Sequence, residues 1–172
     1  HPAMASLAAL QVSHLQDCTQ AAAAEPAPVS DGACIQTKAY AAWLDLVQGD
    51  EIPAVEDAFS PKLHDISADG AMFDLTMGMN RAVIASMGST LARDVGSNLN
   101  GQSIKDIPAN DRIVHLTENF VAAVANRAPV GFAFDAIDRD GRPIACRSIH
   151  LPFSSNGTTV DFVFSVIETS PR

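Results

Sequence analysis

The stretch PVGFAFDAIDRDGRPIACRSIHLPF, residues 129–153, contains two apolar segments joined by the turn sequence Asp-Arg-Asp-Gly. Phe132 and Phe134 alternate with smaller residues, which is the pattern of a strand with one buried face. Turn-forming residues between two such segments predict a β-hairpin. Asp138 and Asp140 lie inside this turn, where short carboxylates bind backbone amides, so they are interpreted as turn residues and not as a catalytic pair.

A third strand is predicted directly after this hairpin. The segment FSSNGTT contains an Asn-Gly turn, and VDFVFSVIE, residues 160–168, follows it. Strands at 129–138, 142–152 and 159–168 would then form an antiparallel meander. In the last strand one face is predicted to carry Val160, Phe162, Phe164 and Val166, and the opposite face to carry Asp161, Val163, Ser165 and Ile167.

The segment before the hairpin predicts two further strands and several short helical turns. Residues 71–77 and 81–87 are apolar segments separated by Gly78 and Asn80, which predicts another hairpin. Residues 88–107 contain three punctuating glycines, so only short turns are expected there.

Residues 110–128 carry the strongest helical pattern of the chain, with Asn110 or Asp111 available to cap the first turn. Its apolar stripe comprises Ile113, Leu116, Phe120, Val121 and Val124. The order of two strands, small helices, one long helix and three strands predicts an α+β fold, with a five-stranded antiparallel sheet covered by helices on one face.

Residues 1–36 are interpreted as an N-terminal extension and residues 37–172 as the folded domain. Residues 1–3 resemble a remnant of a cloning vector, residues 4–24 have helical spacing, and the Pro-rich segment 25–33 breaks that pattern.

A further helix is predicted to start at Thr37 and to stop at Gly49. Trp43, the only tryptophan, is expected to anchor this helix to the domain. The helix therefore belongs to the folded domain in this interpretation.

The charge balance argues against partners that carry many negative charges. Eleven basic and twenty acidic residues give a formal net charge of −9. Binding to a phosphate backbone or to anionic lipid headgroups requires basic side chains that displace counterions. No nucleic-acid partner and no membrane association are therefore expected.

The cysteines favour a reducing compartment. Cys18, Cys34 and Cys146 show no Cys-x-x-Cys spacing, and three cysteines cannot all pair within one chain, so reduced thiols are expected. No apolar run reaches the length of a membrane helix, and the N-terminus lacks the pattern of a secretory signal. A cytoplasmic location is predicted.

Several turn and strand-end motifs occur in an order that resembles the PAS domain, and in particular a bacterial, largely alphaproteobacterial subfamily of single PAS units. The resemblance covers residues 38–168 and rests on glycines, prolines and their spacing. The matching residues are Gly88, Ser89, Thr90, Gly96, Leu99, Gly101, Arg127, Pro129, Val130, Gly141, Arg142, Leu151, Pro152 and Phe153.

The resemblance implies a ligand cavity between the sheet and the helices. The candidate lining residues are mostly apolar. One of them, the strand residue Arg147, is a candidate to bind an acidic group, and a solvent-facing position on the sheet is the alternative for it. The candidates are Met87, Leu91, Ile104, Phe120, Val124, Phe132, Phe134, Arg147, Phe162 and Phe164. The alternative is that the apolar members simply pack together as the core.

The cofactor is left open, since the sequence requires none and argues against flavin and haem. Flavin-binding PAS domains need a cysteine in a helical motif, and the corresponding turns here contain none. Haem needs an axial ligand, and His115 is the only histidine near the usual place, although its helical spacing puts it towards the polar side. His14, His64 and His150 have no partners at metal-ligand spacing, so no metal site is predicted. Cys146 is interpreted as an apolar filler of the sheet.

The predicted function is a non-enzymatic cytoplasmic PAS sensory and signalling module. No nucleophile elbow or phosphate-binding loop is present in the sequence. The resemblance implies a homodimer formed through the N-terminal helix and the outer sheet face, where Val163 and Ile167 would supply apolar surface. The expected partner is a signalling protein such as a histidine kinase or a localisation factor, with a possible small-molecule ligand. The alternatives are a scaffold or dimerisation domain with a filled core, and a haem-binding sensor.

Overall fold

The computed structural model describes residues 34–138 and 140–172. Five strands form one antiparallel sheet in the order β2-β1-β5-β4-β3. The strands are β1 (Gly70–Asp74), β2 (Val83–Met87), β3 (Val130–Ile137), β4 (Pro143–Phe153) and β5 (Phe162–Pro171). The α-helices are α1 (Ile35–Leu46), α2 (Pro61–His64), α3 (Ser89–Val95), α4 (Asp111–Asn119) and α5 (Val121–Asn126). The predicted fold class, α+β with a five-stranded antiparallel sheet, is confirmed.

The three C-terminal strands are neighbours in this sheet. Strands β3 and β4 pair from Val130 opposite His150 to Ile137 opposite Pro143. In the turn between them, the Asp138 carboxylate accepts hydrogen bonds from the backbone N–H groups of Asp140 and Arg142, at 2.9 and 2.8 Å. The interpretation of this aspartate as a turn residue is therefore confirmed.

The predicted long helix at 110–128 is two shorter helices, α4 and α5. Asn110 caps α4, since its side-chain oxygen accepts from the N–H groups of Arg112 and Ile113 at 3.0 and 3.3 Å. Phe120 lies between the two helices with right-handed backbone angles, and Arg127 ends α5 in the left-handed conformation, with φ 54°.

Helices cover both faces of the sheet, and the expectation of helices on one face is wrong. Helices α4 and α5 pack on one face with α3, and α1 packs on the opposite face against β4 and β5. The reason lies in β4 and β5, which carry apolar side chains at both odd and even positions. A sheet that is apolar on both faces needs a covering layer on each.

Each face has its own core. The helical core, between the sheet and helices α3 to α5, contains large buried side chains from strands and helices, among them Phe73, Ile84, Met87, Leu91, Ile113, Leu116, Phe120 and Val163. The α1 core, on the opposite face, contains Ile35, Trp43, Leu63, Met72, Ile149, Leu151, Phe153, Phe164 and Val166.

The predicted faces of the last strand are reversed. Val163 and Ile167, expected at an outer dimer surface, are 0% and 4% exposed and belong to the helical core. Phe162 and Phe164, expected in the cavity, pack in the α1 core. Both sets of side chains are apolar, so the alternation predicts a strand but does not say which set faces helices α3 to α5. The register of β5 with β4 determines which set faces them.

The predicted helix at 4–24 and the linker at 25–33 lie outside the described residues. Helix α1 begins at Ile35 instead of Thr37 and is anchored by Trp43, whose ring N–H donates to the carbonyl oxygen of Pro152 at 2.8 Å. Cys34, directly before α1, is disulfide-bonded, which contradicts the expectation of reduced thiols. Cys146 is a free, buried cysteine.

Candidate functional site

The structure brings together most of the predicted cavity-lining residues. Met87, Leu91 and Phe120 are buried in the helical core, and partly buried side chains pack against them, among them Ile104, Val124 and Phe134. Phe132 is buried on the same face of β3 as Phe134 and contacts two histidine rings. Phe162 and Phe164 lie on the other side of the sheet, and Arg147 is exposed there. Ligand binding by this set stays a prediction.

A chain of hydrogen-bonded polar side chains crosses this side of the sheet. His115 Nε2 on α4 lies 2.8 Å from Ser148 Oγ on β4. Ser148 Oγ lies 3.4 Å from His150 Nε2, and His150 Nδ1 lies 2.6 Å from Ser165 Oγ on β5. Asn119 Nδ2 approaches His115 Nδ1 at 3.2 Å. We call the side chains of Asn119, His115, Ser148, His150 and Ser165 the polar network.

The hydrogen bonds of the polar network all run in one direction. Asn119 Nδ2 also donates to the carbonyl oxygen of His115 at 2.8 Å, which fixes the orientation of the amide. The amide therefore donates to His115 Nδ1, and the proton of a neutral His115 is on Nε2, facing Ser148. Ser148 then donates to His150 Nε2, and the Nδ1–H of His150 donates to Ser165.

Burial keeps both histidines neutral. Desolvation lowers the pKa of His115 from 6.5 to about 4. Desolvation, with a smaller contribution from nearby His115, lowers the pKa of His150 from 6.5 to about 3. A cation is unfavourable in an apolar environment unless a carboxylate or several hydrogen-bond acceptors face it, and the neighbouring strand residues are aromatic or hydroxylic.

Aromatic rings enclose His115 on the strand side. The His115 ring stacks on Phe134, with ring centroids 4.0 Å apart, and meets Phe132 edge to face at 5.5 Å. Phe132 also meets the His150 ring edge to face at 5.4 Å. The expectation that His115 lies on the polar side of its helix is therefore wrong, because the helix turns this residue towards β3 and β4.

Helix α1 contacts the same strand pair from the opposite face. Phe132 and Ser148 are directly paired residues of β3 and β4. Gln36 Nε2 donates to both of their carbonyl oxygens, at 3.0 and 2.8 Å. This Gln36 contact depends on Gly131, because a Cβ atom there would lie 2.9 Å from Gln36 Nε2. One residue pair thus joins the polar network to α1.

The donor atoms do not suit haem or a metal ion. Both ring nitrogens of His115 are engaged, one with Ser148 and one with Asn119. Nδ1 uses its lone pair to accept from Asn119 and Nε2 carries the proton, so the side chain presents no lone pair to an incoming iron. Within residues 34–138 and 140–172, no three His, Cys, Asp or Glu side chains are grouped to bind a metal ion.

The order Asn119, His115, Ser148 superficially matches the arrangement that activates a catalytic serine. In such sites the hydroxyl reaches a substrate. Here Ser148 is 0% exposed, and its hydroxyl donates onward to His150. The geometry therefore offers no nucleophile to a substrate and supports hydrogen bonding within the core.

Two of the open clefts formed by the described residues lie away from the polar network. One, of about 260 Å³, runs beside the N-terminus of α4 and is lined by polar and apolar side chains that include Asp94, Arg112 and Asp138. Arg112 is held there by Asp94 at 3.1 Å and by Thr169 at 3.1 Å. The other, of about 310 Å³, lies between the end of α1 and the turn at 154–157. Neither cleft includes a residue of the polar network.

Asn119, Ser148, His150 and Ser165 were not among the predicted site residues. A local signal existed for two of them: Ser148 and His150 follow Cys146 at alternate positions of a largely apolar strand. Polar residues at one parity of a buried strand indicate a polar network inside a core. The partners on α4 and β5 are distant in sequence, so the spacing alone did not join them.

No helix of the described residues has the length and apolar character needed to cross a lipid bilayer. No family model matches the sequence. No curated protein matches it either.

Solved structures of PAS and LOV domains are similar to this chain. The PAS domain of a protein from Colwellia psychrerythraea is 14% identical, and the match covers 64% of this chain and 96% of that domain with a TM-score of 0.41. The Rhodobacter sphaeroides LOV protein is 9% identical, with coverage of 60% and 59% and a TM-score of 0.40.

The Vibrio cholerae VqmA dimer is 10% identical, with coverage of 62% of this chain and a TM-score of 0.45. This chain spans 48% of the VqmA chain. At such identities the similarity concerns the fold alone.

Proposed function

We propose that this chain is a non-enzymatic sensory and signalling module of the PAS type, which acts through protein–protein interaction. The observation that carries the proposal is the Phe132–Ser148 pair, whose side chains belong to the lining of the helical core and whose carbonyl oxygens hold α1. A change in the helical core therefore has a direct structural path to the helix on the other face. This arrangement is what a sensor requires, because the site that is filled and the surface that is read must be coupled.

The ligand class that suits the helical core is a small, uncharged molecule with a hydrogen-bond acceptor. The walls are apolar and aromatic, and both histidines are neutral, so an ion would find no countercharge. Ser165 accepts from His150, and its own hydroxyl proton has no acceptor among the described residues. A ligand carbonyl or ether oxygen beside Ser165 would satisfy that proton.

Melting experiments with a panel of uncharged metabolites at pH 7.5 test this proposal. A true ligand raises the melting temperature of the wild type by mass action, and the rise is reduced in Ser165→Ala. Ser170→Ala is the matched control, since Ser170 is exposed near the end of the same strand and should respond like the wild type. Native mass spectrometry of the purified protein checks whether a ligand is already bound.

A scaffold with a filled core is the second candidate function. It is favoured by the close packing of the helical core, in which Phe73 and Phe120 meet edge to face at 4.9 Å and His115 stacks on Phe134. A bare protein mass together with unchanged melting across the whole panel would contradict the ligand sensor and favour the scaffold.

The partners are part of the proposal. We retain the homodimer and a signalling partner such as a histidine kinase, with the exposed side of α1 replacing Val163 and Ile167 as the contact surface. Leu44 lies on that side and is 48% exposed. Light scattering that shows a monomer at high concentration would contradict the dimer. A cytoplasmic location stays a prediction, and the disulfide at Cys34 is the observation against it.

A further inference from the structure

We propose that α1 is a pH-sensitive switch, in which a proton taken up at His115 weakens the Phe132–Ser148 pair and releases α1 from the sheet. The inference rests on the proposed function and names a regulation of the same core. It is carried by the geometry of the polar network on one face of β4 and of the Gln36 contact on the other.

Protonation of His115 conflicts with its present hydrogen bonds. In the neutral ring, Nδ1 accepts from Asn119 Nδ2 at 3.2 Å. In the charged ring, Nδ1 carries a hydrogen, so two donors would face each other. Rotation of the Asn119 amide would bring its oxygen to Nδ1, but it would break the 2.8 Å bond from Nδ2 to the carbonyl oxygen of His115. The present arrangement is therefore specific for the neutral ring.

The surroundings do not compensate the charge. Burial alone lowers the pKa of His115, with no contribution from a neighbouring charge. Strand β3 presents Phe132 and Phe134 to the ring, and β5 directs Glu168 to the opposite face, towards Ile35. The titratable or charged groups on the packed elements are Asp135 on β3, Cys146, Arg147 and His150 on β4, Glu168 on β5 and, on α4 itself, Asp111, Arg112 and Glu118.

A charged His115 would gain hydration by moving away from β3 and β4, because water then stabilises the cation. That movement removes the ring from Phe132, Phe134 and Ser148, which are the contacts that hold this part of the strand pair against α4. The carbonyl oxygens of Phe132 and Ser148 would shift with their side chains, and these two atoms are the acceptors of the Gln36 contact.

The Gln36 contact has little tolerance for such a shift. Gly131 leaves no room for a Cβ atom beside the amide, so the side chain is closely fitted. The oxygen of the same amide, Gln36 Oε1, is buried and has no hydrogen-bond partner among the described residues. A buried acceptor without a donor costs free energy that solvent would return if α1 separated from the sheet. Once His115 is charged, two effects therefore favour the release of α1: the loss of the His115 contacts on one face of β4 and the hydration of Gln36 Oε1 on the other.

Trp43 provides the measurement, since it is the only tryptophan and lies on α1. Trp43 emission and far-ultraviolet circular dichroism are recorded together from pH 7.5 down to about pH 2.5, which extends below the pKa of about 4 for His115. We expect the emission to shift to longer wavelength at a higher pH than the loss of sheet signal. In His115→Gln, which retains a donor for Ser148 but cannot be charged, the emission midpoint should fall by about one pH unit or more.

His64→Gln is the matched control, because His64 is exposed and should leave the midpoint unchanged. A second variant, Gln36→Leu, tests the coupling by reciprocity: loss of the contact favours the released state, so the pKa of His115 measured by NMR should rise. The proposal is overturned if emission and sheet signal change at one pH and that pH is the same in His115→Gln, or if Gln36→Leu leaves the titration of His115 unchanged. Ligand binding at pH 7.5 is independent of this result, so a failure of the switch and a failure of the sensor are distinguishable.

Discussion

The side chain of Glu168 accepts a hydrogen bond from the backbone N–H of Ile35 at 3.1 Å, although the two residues lie 133 positions apart. Cys34, at the N-cap position of α1, gives no side-chain cap. A carboxylate from β5 therefore caps α1, and the first turn of the helix is fixed to the sheet by a tertiary contact.

Glu168→Gln should lower the free energy of unfolding by about 0.5 to 1 kcal/mol, because the amide keeps an acceptor but loses the negative charge at the helix N-terminus. Urea unfolding measures the change. Glu118→Gln, at an exposed position of α4, is the control and should have no measurable effect. Equal losses in the two variants would contradict the capping role.

Gly131→Ala should destabilise the protein by about 1 to 3 kcal/mol, since the added methyl group would meet Gln36 Nε2 at 2.9 Å. A double-mutant cycle with Gln36→Ala locates the cause, because the loss should become much smaller when the glutamine amide is absent. An unchanged loss in the Gln36→Ala background would show that the Gln36 contact is not the reason.

Acid should destabilise the fold well before the buried histidines titrate in the folded state. Their pKa values are lowered on folding, so the unfolded chain binds protons more readily, and the free energy of unfolding falls as the pH drops below 6.5 towards about 4 for His115 and about 3 for His150. His150 alone accounts for about 2 kcal/mol between pH 7.5 and pH 5. His115 contributes a similar amount over this interval, because its folded-state pKa also lies below pH 5, and its contribution ends about one pH unit higher than that of His150.

Urea titrations at several pH values check this dependence. For each variant, the free energy of unfolding at each pH is compared with the value of the same variant at pH 7.5, and the slope is the change per pH unit. His150→Gln should flatten the slope, whereas His64→Gln should leave it unchanged. A slope in His150→Gln as steep as that of the wild type would exclude the buried ring as the cause.

Cys146 should be unreactive towards alkylation at pH 8 in the folded protein. Burial raises the pKa of its thiol; the Arg112 charge lowers it by a smaller amount, and the Asp135, Asp111 and Asp94 carboxylates raise it further. Arg147 is adjacent in sequence but lies on the opposite face of β4, so it does not generate a thiolate. Mass spectrometry after iodoacetamide treatment should find Cys146 modified only in urea; rapid labelling without denaturant would contradict its burial.

The sequence predicted the features that depend on local chemistry. The Asp-Arg-Asp-Gly turn, the Asn110 cap and the three-stranded meander are each encoded by a few adjacent residues, and the structure contains all three. Side-chain polarity at short spacing was sufficient for these predictions.

Features that depend on packing were not predictable in the same way. Strand β5 has apolar residues on both faces, so the local sequence does not determine that Val163, and not Phe164, faces helices α3 to α5. His115 is flanked by Arg112 and Asn119 on its helix, which suggested solvent, whereas its environment is set by Phe132, Phe134 and Ser148 from strands that come later in the chain.

Strand β4 is the wall shared by the two cores, and its residues alternate between them: Ile149, Leu151 and Phe153 serve α1, whereas Cys146, Ser148 and His150 serve the helices on the other side. If β4 paired with β5 one position out of register, Ser148 and His150 would face the α1 core near Trp43. Ile149, Leu151 and Phe153 would then face His115. The two cores together therefore fix the register of this strand. Substitutions at odd-numbered positions of β4 should disturb the α1 core and those at even-numbered positions the helical core, and a melting temperature alone would not distinguish the two effects.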